Sequence, residues 1–431
     1  MVVLMKILQV VLALSVLILF HELGHFLFAK LFGIRVDKFY LFFDIGGFKL
    51  FHFRIGQTEY GMGWLPLGGY CKIAGMIDES MDKEFLSHEP KPDEFRSKPA
   101  WQRLLVMAGG VLFNFILAIA VYIAISGIWG QTYIQNEGNA VYVNSLAREM
   151  GFRNGDQILK MDDYVPRDFS MLQADLARRD VGKVTVLRGN DTLDIYIDRR
   201  MIGSVLQTPD MFDLAVPFTV DTVLSAENAA VLQRDDRIVG LDSLSVPFLQ
   251  DARPVLAAHP DTSLTAFILR GKDTVALTLA VDSLGHVGVV PRIPGLVHEE
   301  YTFFQAIPKG IKLTFSTIGG YLRDLKMVAT PSTGAYKGVG SFIAIGQVFP
   351  SSWNWYAFLQ ILALLSIMLG VMNLLPIPGL DGGHIVFTLY EIFTGRKPSD
   401  RFLEIAQMIG FVLVLLLMFL AFGNDIGRLF K

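Results

Sequence analysis

His21-Glu22-Leu23-Gly24-His25 is the stretch of this chain best equipped for chemistry. On an α-helix, residues four apart share a face, so His21 and His25 can offer two imidazole nitrogens to one metal ion. Glu22 then stands beside them as the base that takes a proton from an attacking water. The motif follows an uncharged run from Ile7 to Phe20. Ionisable groups in so apolar a helix cost on the order of 3 kcal/mol each unless they face a polar cavity or a metal.

A catalytic zinc takes three protein ligands and keeps one position open. Cys71 is the only cysteine, which excludes an intrachain disulfide framework and any multi-cysteine zinc site, so the third ligand must be His, Asp or Glu. Asp381 follows a long uncharged stretch, and Pro376, Pro378 and Gly379 break any helix just before it. Irregular backbone at membrane depth is tolerated where it lines a cavity or is buried in protein. Asp381 is therefore the best third ligand, with His384 a chemically possible rival. Asn373 can donate its amide to a substrate carbonyl or to a developing oxyanion.

The elements that must position these groups are membrane spans. Of 431 residues 52% are apolar and 18% charged, and the mean hydropathy is +0.43, too apolar for an ordinary soluble protein. The formal charge of -3 carries no signature of a polyanion partner, so nucleic acid is not expected. Four apolar segments lie at the two ends: Ile7 to Phe20 continuing through the His motif, Leu104 to Trp129, Trp353 to Leu375, and Ile405 to Phe422. No small-x-small site precedes His21, so the first reads as a retained span and not a cleaved signal peptide. Lys and Arg crowd the piece between segments one and two and the link after segment three, which puts both on the cytoplasmic side.

The polar middle changes character and repeats. Gly155-Asp156-Gln157-Ile158-Leu159 is echoed by Asp235-Asp236-Arg237-Ile238-Val239, and Leu187-Arg188-Gly189 by Leu269-Arg270-Gly271. Each turn is followed by strands around an Arg-Gly hairpin, a pattern that resembles PDZ domains, which bind an extended peptide as an added strand. The second copy has Arg234-Asp235 where the first has Asn154-Gly155, so its turn is expected to differ. Tyr301 to Val328 shows helical apolar spacing among basic groups and reads as a helix lying on the membrane surface or packed on a neighbour, interrupted or started by Pro308 and Gly310.

His21-Glu22-Leu23-Gly24-His25, Asn373, Leu380-Asp381-Gly382 and the PDZ-like repeats together resemble the site-2 protease family of intramembrane zinc metalloproteases, of the bacterial RseP type. Tyr60 to Lys72, Phe95 to Arg103, Gly110 to Phe115 and Ala421 to Ile426 are further family-like pieces, with Val111 where the family often has Pro. The resemblance implies Zn2+ held by His21, His25 and Asp381, water activated by Glu22, and substrate held by Asn373. It also implies that Tyr60 to Lys72, with Gly61, Gly63, Gly68 and Gly69, forms a membrane-reentrant β-hairpin that receives an unwound substrate strand.

The fold expected is a polytopic α-helical membrane protein, with four transmembrane helices and a membrane-associated β-hairpin, carrying two inserted PDZ-like α+β domains. Its segments are residues 1–33 with the zinc motif, 34–100 as a cytoplasmic-side β region, 101–130 as span two, and 131–211 and 212–297 as the PDZ-like pair. Residues 298–352 form a membrane-surface connector, 353–383 span three with the third ligand, 384–402 a cytoplasmic link, and 403–431 span four. The resemblance implies an endopeptidase of regulated intramembrane proteolysis in the bacterial cytoplasmic (inner) membrane, with the PDZ-like domains on the periplasmic side. Its partners would be the lipid bilayer and membrane-spanning protein substrates: anti-sigma factors already trimmed outside the membrane, as in a stress response, and remnant signal peptides. A non-catalytic membrane scaffold binding partner tails through the PDZ-like pair is the alternative.

Overall fold

The computed structural model describes residues 2–66, 68–76, 89–208 and 210–429, so Leu67 and residues 77–88 of the expected β region lie outside the described residues. The chain begins with α1 (Val2–Leu31), β1 (Val36–Leu41), β2 (Lys49–Ile55), β3 (Thr58–Gly63), β4 (Tyr70–Ile73) and α2 (Ala100–Trp129). The middle continues with β5 (Gln131–Ile134), β6 (Val141–Val143), α3 (Ser145–Glu149), β7 (Gln157–Met161), α4 (Leu172–Arg178), β8 (Lys183–Arg188) and β9 (Asp191–Tyr196). Then come α5 (Ile202–Gln207), β10 (Phe212–Leu214), β11 (Val220–Val223), β12 (Arg237–Leu241), β13 (Leu244–Ser245) and α6 (Leu249–Ala257). The strands β14 (Ser263–Arg270), β15 (Asp273–Ala280), β16 (Val289–Pro291) and β17 (Leu296–Glu299) end the middle. The last part is helical: α7 (Phe303–Val328), α8 (Phe342–Val348), α9 (Trp355–Leu374), α10 (Asp381–Thr394) and α11 (Asp400–Leu429).

Two compact units result. Met1–Gly130, Glu300–Ala329 and Tyr336–Lys431 form one, and Gln131–Glu299 with Thr330–Ala335 the other. In the first unit, four helices are long and apolar enough to cross a membrane among the described residues: α1, α2, α9 and Arg401–Gly427 of α11. α2 is the hub, with α1, α7, α9 and α10 all packed against it. Leu17 of α1, Leu117 and Val121 of α2 and Leu362 and Ile367 of α9 share one buried cluster. Asn424 of α11 donates to the carbonyls of Tyr336 and Val339, and the buried carboxylate of Asp425 accepts from the backbone N–H and hydroxyl of Ser341 and from the N–H of Ala344. That clasp accounts for the polar pair inside Ala421 to Ile426.

Three expectations about this unit are corrected. Residues 60–72 do not fold back as a hairpin: the sheet order is β2-β3-β1-β4, so β1 lies between β3 and β4, and the hairpin is β2 with β3. Glycine makes that order possible, since an added Cβ at Gly61 would lie 2.5 Å from the Tyr40 ring and one at Gly63 only 2.1 Å from the Phe43 carbonyl oxygen. Residues 384–394 are not a link but the body of α10, whose Ile385 packs with Val106 and Met107 of α2. Finally, α7 runs unbroken through Pro308, its sixth residue, which has no N–H to offer the carbonyl of Phe304. It lies against α2, where Gly310 lets the backbone of Ile123 approach to 2.6 Å from where a Cβ would stand.

In the second unit the two copies are built alike, with β7-β8-β9 matched by β12-β14-β15. The sequence echo has a physical cause. Arg188 makes a two-point pair with Asp156, which is 0% exposed, and Arg270 makes the same pair with Asp236, which is 1% exposed. Breaking either would leave a buried charge uncompensated, costing about 3–5 kcal/mol. Burial opposes ionisation of Asp236, but hydrogen bonds from Arg270 and the Gln233 N–H outweigh it and hold the carboxyl below its ordinary range. The stability it contributes is therefore complete above the ordinary value of about pH 4 and is lost only as pH falls through the depressed one. The turn before it does not differ between copies: Gly155 has φ 93° and Asp235 φ 71°, the left-handed region that Asp tolerates. Entry and exit strands β5 and β17 pair antiparallel, Gln131 opposite Glu299.

Candidate metal centre

α1 carries His21, Glu22 and His25 on one continuous helix, and the irregular turn Leu375 to Leu380 delivers Asp381 at the start of α10. The turn is tight because it is glycine-rich: an added Cβ at Gly382 would lie 2.0 Å from the carbonyl oxygen of Leu375, and one at Gly383 2.7 Å from that of Ile377. Asp381 occupies the first turn of α10, where the helix dipole favours a carboxylate.

The donor atoms form a nearly equilateral triangle. His21 Nε2 and His25 Nε2 are 3.3 Å apart, and each is 3.4 Å from Asp381 Oδ2. Corners of a tetrahedron built on metal–ligand bonds of about 2.0–2.1 Å stand about 3.3–3.4 Å apart, so the triangle fits zinc with one corner left open. Asp381 Oδ2 is buried without a hydrogen-bond donor, as expected of an oxygen reserved for a cation. Among the described residues this is the metal-sized cluster of such groups, and His384, one turn further along α10, is not in it.

Neighbours on α2 orient the two imidazoles. His25 Nδ1 lies 2.8 Å from the carbonyl of Val106, which can only accept, so the proton sits on Nδ1 and the Nε2 lone pair faces the triangle. The Asn114 side chain lies 3.1 Å from His21 Nδ1, and its Oδ1 is otherwise unpartnered and buried. The amide orientation with Oδ1 toward His21 satisfies both groups and fixes the same tautomer there. In the sequence Gly110 to Phe115 stands out as a family-like piece, but nothing there places Gly110 or Asn114 against the histidines, and Gly109 has no role. Their signal is nonetheless present as small and polar residues inside an apolar span, the composition of a close helix crossing.

Gly110 is the tightest of these positions. A Cβ there would lie 2.4 Å from His25 Nε2 and 2.6 Å from His21 Cε1. Gly110→Ala is expected to weaken zinc binding by about 1–3 kcal/mol, or 5- to 150-fold, the usual cost of overpacking. Chelator competition on the purified protein reads this directly.

The remaining expected site residues divide. Asn373 Nδ2 lies 3.3 Å from His21 Nε2, so the structure brings it to the triangle. Gly69 packs against Ile18, one turn before His21 on α1. Gly61 and Gly63 pack inside the sheet against Tyr40 and Phe43, Gly68 meets the Phe43 ring from the stretch between β3 and β4, and none of the three reaches the donor atoms.

Bilayer-length helices that bring a His–His–Asp donor set and a glutamate together define a membrane-embedded metallopeptidase. The chain belongs to peptidase family M50, whose profile matches residues 9–417. It is similar to a putative zinc metalloprotease of Ralstonia nicotianae, 30% identical over 99% of both chains. It is also similar to the regulator of sigma-E protease RseP of Escherichia coli, 31% identical over 97% of this chain and 98% of that one. A putative zinc metalloprotease of Clostridium perfringens is 28% identical over 98% of both. The protein is thus a zinc metalloprotease, and the scaffold reading falls away.

Proposed function

We propose that this protein is an intramembrane zinc endopeptidase that hydrolyses peptide bonds within or beside the membrane spans of other proteins. The observation that carries this reading is the donor triangle, carried by bilayer-length α1 and the turn after α9. His21, His25 and Asp381 hold the ion. When bound, zinc supplies Lewis acidity to the scissile carbonyl and to water. Glu22 accepts the proton of the attacking water and passes it to the leaving amine. Asn373, beside His21, donates its amide to the carbonyl oxygen and holds the substrate strand in line.

The substrates are single-span proteins already shortened outside the membrane, among them an anti-sigma factor and remnant signal peptides. The Escherichia coli and Salmonella typhimurium relatives named as regulators of sigma-E support the first. The enzyme sits in the bacterial inner membrane with residues 131–211 and 212–297 as periplasmic PDZ-like domains, an orientation supported by the basic residues between spans one and two. A cleft of about 1250 Å3 between α6 and β16 in the second copy suits an extended peptide, and β16 is an edge strand. The pair excludes substrates that still carry a bulky outer domain.

The test uses purified protein in detergent and a single-span reporter, with and without a folded outer domain. The trimmed reporter is expected to be cut inside its span, by mass of the products, and spared after chelation. The bulky one is expected to be spared until residues 131–299 are replaced by a short glycine linker, which the pairing of Gln131 with Glu299 allows. Cleavage that survives chelation, or cuts only outside the span, would overturn the reading; unchanged selectivity after excision would overturn the exclusion role.

A further inference from the structure

Arg103 and Glu391 form a largely buried ion pair that the hydrolysis itself does not use. Arg103 stands in the first turn of α2 and is 10% exposed, Glu391 stands in the last turn of α10 and is 19% exposed, and Nη2 lies 2.5 Å from Oε1. The Nε–H of Arg103 also donates to the carbonyl of Lys98 at 3.0 Å, tying the guanidinium to the chain that enters α2. Both charges stand at helix ends whose dipoles disfavour them, a cation at an N-terminus and an anion at a C-terminus. Each is held there by the other, and fixing register is the best-attested use of such a buried pair.

The pair sits at one end of an antiparallel contact whose other end is the metal centre. Along α10, Glu391 is about 15 Å from Asp381, and along α2, Arg103 is about 16.5 Å from Asn114, at 1.5 Å per residue. Asn114 meets His21, and His21 meets Asp381, so the two spans match end to end. Val106 and Gly110, which orient and admit the histidines, lie between these ends of α2. A slide of α10 along α2 would carry Asp381 Oδ2 out of its equal 3.4 Å separations from His21 and His25.

We propose that Arg103 and Glu391 are positioning residues for the metal centre: their pair fixes the axial register of α10 on α2 and thereby holds Asp381 in the donor triangle. This rests on the assignment of His21, His25 and Asp381 as the ligand set. All three donors are then registered against one helix, His25 through Val106, His21 through Asn114 and Asp381 through Arg103.

The test measures zinc affinity by chelator competition on the full chain in detergent, together with the thermal midpoint of the metal-free protein. Glu391→Gln is expected to lower zinc affinity about 10- to 100-fold, the range seen when groups that orient metal ligands are removed. The reciprocal variant R103E/E391R restores the pair and puts each charge at the helix end that favours it, so its affinity is expected within about threefold of wild type. A merely structural pair would lower the metal-free midpoint and leave the zinc affinity of the folded protein unchanged, which overturns the proposal. A reciprocal variant as stable as wild type that binds zinc as weakly as Glu391→Gln overturns it too. If Glu391→Gln does not fold, Glu391→Asp decides, with weakened zinc expected and unchanged zinc contrary. His21→Ala is the reference: wild type binding zinc no better than His21→Ala means that the ligand assignment has failed, and the proposal with it.

Discussion

Glu22→Gln is expected to slow peptide-bond hydrolysis by about 10²- to 10⁴-fold, the usual contribution of a positioned base, while about one zinc ion per chain stays bound. The substitution is isosteric, so α1 keeps its packing on α2 and the close approach of Gly24 to Gly109. Glu22 is not among the three groups whose donor atoms converge, so removing its charge leaves the triangle whole. What disappears is the capacity to accept a proton. Reporter cleavage and bound zinc measured on the same preparations separate the two roles. Cleavage at the wild-type rate would remove Glu22 from the reaction, and loss of zinc would make it part of the metal's holding set instead.

The local part of the site was legible in sequence because helical geometry alone puts His21 and His25 on one face, and an uncharged surround makes any ionised group costly. Asp381 was legible for the second reason: it is a lone charge after a long apolar run, beside residues that break a helix. Long-range groups were not. Nothing local links Asn114 to His21, or Val106 to His25, because those contacts exist only once α1 crosses α2 at Gly24, Gly109 and Gly110. The sheet order is invisible in the sequence for a related cause. Tyr60 to Lys72 has the glycines of a turn, yet the parallel pairing of β3 with β1 is set by how closely Gly61 and Gly63 admit Tyr40 and Phe43. α10 is hidden because Pro376 and Pro378 signal an ending, whereas the chain resumes a helix at Asp381. The repeats were legible through their turn and hairpin motifs, and the Asp156–Arg188 and Asp236–Arg270 pairs explain why those residues recur together.

Asp381→Ala is expected to reduce bound zinc from about one ion per chain to a trace, whereas His384→Gln keeps it, because a catalytic zinc needs three protein ligands. Both residues are chemically able to be the third, and both lie in the first turns of α10. They differ in where the helix places them. Asp381 is the first residue, delivered by the turn that Gly379, Gly382 and Gly383 allow, with Oδ2 equidistant from the two histidines. His384 is three residues on, about 4.5 Å further along the axis at 1.5 Å per residue. Asp381→Asn keeps an oxygen donor but removes the charge that two neutral imidazoles leave for the third ligand to supply, so zinc binding is expected between that of wild type and Asp381→Ala. Metal analysis of the three purified variants decides. Zinc lost in His384→Gln and kept in Asp381→Ala would move the third donor one turn along α10 and leave Asp381 as its hydrogen-bond partner, and the equal separations now seen at Oδ2 would then need another cause.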